Sequence, residues 1–309
     1  MQIHAMRQEP LTSMKPTLAT QVHSVGTDFD SPFVVEHTIN EVVQRVAAQG
    51  LSLGVGDGGL HFDSRRFAVT VEYMKAYGLH QGYCLEIGSL EYLSSRVIWS
   101  FFPEAIARGT SHDLRKDPIP YADNSIDNVI CTEVIEHISD IDYEQATTLD
   151  GVFFFLGEVH RVLRVGGRAL ISTPNASSLW ALQQALVKNA PLMYDWHFRE
   201  FTLSEMQQIV EHAGFKIVAH NTEFVWHLWD FTPLENFLAS SGYDLSGRGD
   251  DQFIVIEKVA APVKKPHHLM LPTKEQWKER GVRLLRNNLK RTFYNFKLWL
   301  KVKVKTLLR

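Results

Sequence analysis

The feature that most constrains the fold is a change of hydrophobic period that repeats from residue 83 onward. Short apolar runs, such as YCLEIG at 83–88 and DNVICT at 127–132, alternate with segments whose apolar residues recur at helical spacing. Strands that alternate with helices are typical of a mostly parallel sheet with helices on both faces. The sequence therefore predicts an α/β fold with a doubly wound sheet.

The other elements are predicted from the same two periods. We expect helices at 33–49, 65–78, 89–102 and 151–165, and a further helix that follows the strand within 125–138. Additional strands are expected at 168–175, 215–224 and 250–259. Thr202, with Glu205 three residues later, has the pattern of a capping box, and Gly214 ends the helix that this box starts.

Charge and cysteine content narrow the class of protein. The 309 residues carry a net charge of −3, but residues 273–309 hold 12 basic and 2 acidic residues, which leaves 20 basic and 33 acidic residues elsewhere. An anionic partner is therefore expected at the tail, and the acidic body is not expected to bind nucleic acid. Cys84 and Cys131 lie outside any metal-binding spacing, so we expect buried thiols, no structural metal and a cytoplasmic location.

Four blocks follow one another in a fixed order: CLEIG at 84–88, PIPYADNSIDNVICTEVIEHI at 118–138, EVHRVLRVGGRALISTPN at 158–175 and WHFREFTLSEMQQIVEHAGF at 196–215. Together they resemble the class I S-adenosylmethionine-dependent methyltransferases, and within these the small-molecule group often called type 11. The resemblance covers about residues 65–259. It implies a Rossmann-like, mostly parallel seven-stranded sheet with an antiparallel last strand, S-adenosyl-L-methionine as cofactor, and no metal.

The resemblance and the composition divide the chain into five parts. We expect a flexible N-terminus at 1–30, an N-terminal helical cap over the cleft at 31–80, the methyltransferase domain at 81–259, a linker at 260–272 and a basic amphipathic helical tail at 273–309.

The first predicted part of the cofactor site follows the first strand. A glycine at position 88 lets the backbone approach the methionine part of the cofactor, and Glu86 helps to hold its ammonium group. In the alternative, Glu86 caps the next helix and Gly88 only makes the turn. The family has two further glycines where this chain has Leu90 and Tyr92. Either the loop takes another path, with Ser89 supplying a hydroxyl, or the cofactor site is lost.

The second part of the predicted cofactor site is centred on Asp113. In the family, an acid after the second strand holds the ribose, and another after the third approaches the adenine. Only 25 residues separate Gly88 from Asp113, which leaves little room for two strands and a helix. Either 109–112 is a short second strand and Asp113 is the ribose acid, or Asp113 is the adenine acid. Leu114 and Thr132 complete the predicted site.

Predicted catalytic residues follow the fourth strand and the fifth. Glu133 and His137 are four residues apart and would share one face of the expected helix, where they could take a proton from an acceptor. His197 is the second candidate base, in a loop where Arg199 could hold an anionic acceptor. The alternative gives these residues local structural roles, with Glu133 and Glu136 as acids at a helix start.

The tail and the family together lead to a functional hypothesis. Residues 274–309 carry apolar residues at steps of three and four with Lys and Arg between them, a pattern of helices that lie on anionic membranes. Two other roles for the tail are less favoured: it could dock on the body or on a partner subunit, or it could bind RNA. We expect a cytoplasmic methyltransferase for a small-molecule, sugar or lipid-linked acceptor, which the tail would attach to the inner face of the membrane. The alternative is a non-catalytic scaffold attached through its tail.

Overall fold

The computed structural model describes residues 32–48, 63–140, 149–226 and 230–259. Within these residues the α-helices are α1 (Glu36–Ala48), α2 (Ser64–Ala76), α3 (Leu93–Trp99), α4 (Asp150–Val162), α5 (Leu179–Leu186), α6 (Leu203–His212) and α7 (Thr232–Ser240). The strands are β1 (Tyr83–Ile87), β2 (Ile106–Thr110), β3 (Ile126–Thr132), β4 (Leu163–Pro174), β5 (Phe215–Glu223) and β6 (Asp251–Lys258). No described helix is long and apolar enough to cross a membrane. The predicted N-terminus, linker and tail lie outside the described residues.

The strands form one sheet in the order β2-β1-β3-β4-β6-β5. Strands β1 to β4 pair in parallel, and β6 is antiparallel to both of its neighbours, β4 and β5. The predicted mostly parallel sheet with an antiparallel last strand is therefore confirmed. The described residues contain six strands where seven were expected, because the connection from β2 to β3 is short: residues 111–125, all of them described, form turns and no strand.

Helices cover both faces of the sheet. Val129 and Cys131 of β3 belong to the buried cluster that includes α4 and α6, whereas Ile130 between them belongs to the cluster that includes α1, α2 and α3. This alternation follows because successive side chains of a strand point to opposite faces. The doubly wound arrangement predicted from the strand and helix periods is thus observed directly in the packing.

The helices α1 and α2 pack together on one face of the sheet. Thr38 donates a 2.6 Å hydrogen bond to Glu72, which joins the two helices, and the ring of Tyr73 stacks on Phe253 of β6 with centroids 5.2 Å apart. At the start of α2, Asp63 accepts a hydrogen bond from Trp226, 3.4 Å away. The boundaries of the predicted helical cap stay a prediction.

Helices α3 and α4 are shorter than the segments predicted for them. The helix expected at 89–102 begins only at Leu93, because residues 89–92 form a turn closed by the backbone bond from Tyr92 to Ser89. The helix expected at 151–165 ends at Val162, where β4 begins at once. The pairing of β4 with β3 shifts register near Asn128, and Gly166 on β4 has φ +75°. A β-bulge in β4 therefore accommodates the additional residues of this strand.

The prediction of a helix directly after β3 is wrong. Glu133 has φ +55°, in the left-handed region that interrupts a right-handed helix, and only a 3-10 turn at Ile135–His137 follows. Consequently Glu133 and His137 do not share a helix face. By contrast, the predicted capping box of α6 is confirmed: Thr202 and Glu205 each bond the other's backbone N–H, at 3.3 and 2.8 Å.

Candidate active site

The predicted site residues lie at one edge of the sheet. The carboxyl ends of β1, β2, β3 and β4 meet there, and β6 starts at the same edge because Asp251 pairs with Pro174. Ligands of open parallel sheets bind beyond this edge. Loops after β1, β2 and β3 carry Gly88, Asp113 and Glu133 to it, so chain topology alone brings these residues near one another.

The loop after β1 depends on the conformation of Gly88. This residue has φ +119°, which residues with a side chain rarely adopt, and its backbone exchanges two hydrogen bonds with Thr110, at 2.6 and 2.9 Å. Gly109 on β2 supports the same loop, because a Cβ atom there would lie 2.9 Å from the carbonyl oxygen of Gly88. Among the described residues, the backbone N–H groups of Ser89 and Leu90 have no hydrogen-bond acceptor. They are available to an anionic or hydroxyl group.

Glu86 is buried beneath this loop. Its carboxylate accepts hydrogen bonds from Ser95 at 3.0 Å and from the indole N–H of Trp99 at 3.1 Å, both on α3. Burial raises the pKa of Glu86 to about 7, although the two hydrogen bonds oppose this rise. Both oxygens therefore have protein donors on α3, but these are the side chains of Ser95 and Trp99. Glu86 does not cap α3, since no side chain caps its first turn.

The two residues that replace the expected glycines differ in their surroundings. Leu90 packs on β2, since its Cγ would be 3.2 Å from a Cβ atom at Gly109. Tyr92 immediately precedes α3 with 61% of its surface exposed, and its ring lies beside Gly88. The hydroxyl of Ser89 accepts a 3.2 Å bond from the backbone of Glu91. Ser89 thus stabilises the turn, while Leu90 contacts β2 and Tyr92 contacts Gly88.

Asp113 lies three residues beyond β2. Arg115 donates to both of its carboxylate oxygens at 2.8 Å, and Lys116 lies 3.5 Å away. These hydrogen bonds, chiefly those from Arg115, hold the pKa of Asp113 well below its ordinary value, so the side chain is ionised at neutral pH. Leu114 beside it is partly buried against the core cluster. The strand expected at 109–112 is observed at 106–110 instead.

Thr132 is the last residue of β3, and Glu133 follows it directly. The left-handed turn at Glu133 aims its carboxylate at the neighbouring strand β4, where it accepts a 2.6 Å hydrogen bond from Ser172. The backbone N–H of Glu133 also donates to the carbonyl of Ser172 at 3.1 Å. Glu133 is therefore held on β4 rather than beside His137.

Glu136 is fully buried in the 3-10 turn. One carboxylate oxygen accepts a 2.8 Å bond from Thr173, while the other, Oε1, has no hydrogen-bond partner among the described residues. Burial, and next the charge of Glu133, raise the pKa of Glu136 well above its ordinary value. The carbonyl of Glu136 accepts backbone bonds from Phe198 and Arg199, which attaches the loop at 191–200 to this turn.

The same attachment brings His137 and His197 together. Their rings meet edge to face with centroids 4.8 Å apart. Nδ1 of His137 lies 3.2 Å from the carbonyl oxygen of Trp196, and Nδ1 of His197 lies 2.7 Å from the carboxylate of Glu200. Burial, and next the neighbouring His197, lower the pKa of His137. The pairing of these two predicted residues depends on the turn after β3, which the sequence pattern did not reveal.

Arg199, His160 and the two cysteines have structural contacts. Arg199 donates a 2.7 Å hydrogen bond to Glu205, so it ties the loop to α6. His160 on α4 is buried with its ring 5.3 Å from that of Phe215. Cys84 and Cys131 are buried, unbridged thiols on the neighbouring strands β1 and β3.

Sequence reasoning missed a group of charged residues at the same edge. Asp250 and Asp251 are buried at the start of β6, and burial raises the pKa of Asp250 to about 8 despite hydrogen bonds from the backbone of Val225 and Trp226. Burial alone would lower the pKa of Arg66 on α2, but the charges of Glu133, Asp63 and Asp251 raise it. No motif marks these residues, since Arg66 is far from Asp250 and Asp251 in the sequence.

Comparison with known proteins gives one family model and one curated relative. A family model described as a methyltransferase domain matches residues 38–220, more than half of the chain. A protein of Mycolicibacterium smegmatis, named a probable S-adenosylmethionine-dependent methyltransferase, is 34% identical over 99 residues, which are 32% of this chain and 32% of that protein. The match thus spans about a third of the length of that curated relative.

Solved structures are similar at low sequence identity. A SAM dependent methyltransferase from Archaeoglobus fulgidus has 14% identity and a TM-score of 0.39, over 62% of this chain and 94% of that one. The 1,6-didemethyltoxoflavin-N1-methyltransferase of Burkholderia thailandensis, solved with 1,6-didemethyltoxoflavin and S-adenosylhomocysteine, has 13% identity and a TM-score of 0.40, over 74% of this chain and 93% of that one.

Proposed function

The chain belongs to the methyltransferase domain family, as the four sequence blocks predicted, and we propose that it methylates an acceptor bound at the carboxyl edge of β1 to β4. S-adenosylmethionine, when bound, supplies a methyl group already activated by its sulfonium. The observation that carries the proposal is the loop at Gly88, whose φ of +119° and backbone bonds to Thr110 keep a side-chain-free backbone at the end of β1. The protein then has to align the reactants and exclude water.

The residues at this edge fit such a cofactor in two respects. The N–H groups of Ser89 and Leu90, without acceptors in the described part of the chain, suit a carboxylate. The ionised carboxylate of Asp113 suits hydroxyl donors, because each of its oxygens can accept more than one hydrogen bond. We propose that Gly88, Ser89 and Asp113 hold the cofactor, with Leu114 and Thr132 beside it and Glu86 supporting the loop from below.

The acceptor would lie between the turn after β3 and the loop at 191–200. His137, with 41% of its side chain exposed, is the group that could take a proton from it, since its lowered pKa leaves the imidazole neutral at physiological pH. Tyr194, Trp196 and Phe198 are more than half exposed in the same loop. Such a rim of exposed rings supports an acceptor with apolar or ring character, within the class of small-molecule, sugar or lipid-linked compounds.

A second candidate is a binding protein that has lost the cofactor. The observations that favour it are the bulk of Leu90 and Tyr92 at the family's glycine positions and the engagement of Glu86 by Ser95 and Trp99. In that case the loop at Gly88 has only a structural role, and the partner would be reached through the basic tail.

Calorimetric titration of the full chain with S-adenosylhomocysteine separates the two candidates. We expect binding to the natural chain, clearly weaker binding to Asp113→Asn, and no change for Asp117→Asn, an exposed acid four residues away. No binding to the natural chain would refute the enzyme and leave the binding protein. Equal binding by both variants would refute the role of Asp113 as a cofactor ligand.

The tail supports a separate proposal about location. We propose that the basic amphipathic pattern of residues 274–309 attaches the protein to an anionic membrane surface, which would suit a lipid-linked acceptor. The test is sedimentation of the full chain with vesicles. Attachment is expected with phosphatidylserine and not with phosphatidylcholine alone, and it should weaken as the salt concentration rises. Equal recovery in the supernatant with both vesicles would contradict this proposal.

A further inference from the structure

The turn after β3 and the loop at 191–200 hold three ligand groups in one place. Phe198 donates a backbone bond of 2.9 Å to the carbonyl of Glu136, and the ring of His137 bonds the carbonyl of Trp196. These contacts fix the two segments against each other. As a result, one ligand atom each from Glu136, His137 and His197 lies within 4.8 Å of the others.

We propose that Glu136, His137 and His197 bind one divalent transition-metal ion. Ligands that share a zinc ion at about 2.0–2.2 Å are separated by roughly 3 to 4 Å, so only small side-chain rotations are required. The approach is already close for one pair, since Nε2 of His137 is 3.8 Å from Oε1 of Glu136.

A buried carboxylate oxygen of Glu136 that lacks a hydrogen-bond partner among the described residues is a second, independent observation in favour of a cation. Oε1 of Glu136 has no hydrogen-bond partner among the described residues, although the residue is 0% exposed and its other oxygen is bonded to Thr173. Buried carboxylate oxygens are costly unless paired, and a metal ion would pair this one. The nearby charge of Glu133, which acts to raise the pKa of Glu136, would be offset by the same ion.

The second nitrogen of each histidine is bound as in established metal sites. Nδ1 of His137 bonds a backbone carbonyl, and Nδ1 of His197 bonds the carboxylate of Glu200, whose side chain is 2% exposed. Metal-binding histidines commonly donate their other N–H to a carbonyl or a carboxylate, which fixes the ring and leaves the remaining nitrogen as the ligand. Here that nitrogen is Nε2 in both rings.

The ligand set selects the class of ion. Two imidazoles and one carboxylate favour zinc, iron, cobalt or nickel over magnesium or calcium, which prefer oxygen ligands. Three protein ligands leave at least one coordination position open. In a part of the inference that rests on the proposed function, an oxygen atom of the acceptor would occupy this position. With the ion bound, His137 would be a ligand, so its proposed role as a base would apply only to the metal-free site.

The test is a titration of the full, metal-stripped chain with Zn²⁺ by calorimetry, and with Co²⁺ by visible absorption. We expect one ion per chain, absorption bands of low-coordinate Co²⁺, and no competition by Mg²⁺. Glu136→Gln and His197→Ala should each weaken Zn²⁺ binding by at least about tenfold, and Glu200→Gln by roughly ten- to a hundredfold. His212→Ala is the control, because that ring bonds its own helix at the carbonyl of Gln208.

Each outcome is decisive because binding is measured without S-adenosylmethionine. Failure of the natural chain to bind Zn²⁺, or binding that survives both Glu136→Gln and His197→Ala in folded protein, overturns the site. Circular dichroism of each variant establishes that it is folded, and Glu136→Gln keeps the oxygen that accepts from Thr173. If Zn²⁺ binds but S-adenosylhomocysteine does not, the proposed function fails and the metal site stands; the reverse result rejects only the metal site.

Discussion

Replacement of Glu86 by glutamine should remove a loss of stability that the natural chain shows as the pH rises. The carboxyl has its ordinary pKa of 4.5 in the unfolded chain and a pKa of about 7 in the folded protein, because it is 4% exposed. The folded state therefore binds the proton more tightly. The contribution of Glu86 to the stability of the folded protein is therefore complete below its pKa in the unfolded chain, and it is lost as the pH rises through about 7.

The magnitude follows from the two pKa values. At about 1.4 kcal/mol per pKa unit, the natural chain should lose roughly 2 to 3 kcal/mol from this group between about pH 5 and about pH 8. Glutamine cannot ionise, yet its oxygen can accept from Trp99 and its amide can donate to Ser95, whose hydroxyl can turn. The variant should therefore gain roughly 2 to 3 kcal/mol over the natural chain as the pH rises across this range.

Urea unfolding of both proteins at the two pH values measures this difference. Glu91→Gln, at an exposed position of the same loop, is the control and should show no pH-dependent difference. If Glu86→Gln and the natural chain differ by the same free energy of unfolding at both pH values, the carboxyl does not carry a raised pKa and the assignment of its burial is wrong.

Three further predictions concern stability and reactivity. Gly151→Ala should lower the free energy of unfolding in urea by roughly 1 to 3 kcal/mol, because a Cβ atom there would clash with the carbonyl oxygen of Ser139. Gly157→Ala on the same helix meets no atom and should raise it by up to about 1 kcal/mol. The reverse order would contradict the packing of α4. Thr202→Ala should lower the melting temperature through a loss of about 1 kcal/mol from the α6 cap, and an unchanged value would refute its role. Burial raises the pKa of Cys84 to about 11 and that of Cys131 well above its ordinary value, so mass spectrometry should find neither thiol alkylated by iodoacetamide in the folded protein and both alkylated after denaturation.

Local patterns predicted the fold well wherever a short segment determines its own structure. The apolar run of β1, the capping box at Thr202 and Glu205 and the glycine at 214 each carry their signal within a few residues, and all three are observed. Boundaries were wrong where tertiary contacts decide them. Residues 163–165 look helical in sequence, but pairing with β3 extends β4 back to Leu163.

The candidate site was only partly predictable for the same reason. The residues Gly88, Asp113 and Glu133 follow strands, so a parallel sheet gathers them without any detailed knowledge of loops. The pairing of His137 with His197 depends on the left-handed turn at Glu133 and on backbone bonds over some 60 positions of sequence, which no local pattern encodes. Asp250, Asp251 and Arg66 escaped notice because burial, rather than residue type, makes them unusual.

The central claim is that this edge of the sheet binds S-adenosylmethionine. A crystal structure of the full chain grown with S-adenosylhomocysteine tests it most directly. The account predicts the ligand beyond the carboxyl ends of β1 and β2, with its carboxylate at the backbone of Ser89 and Leu90 and Asp113 within hydrogen-bonding distance of a hydroxyl group. A ligand at any other place, or an edge that stays free of ligand at saturating concentration, would contradict it.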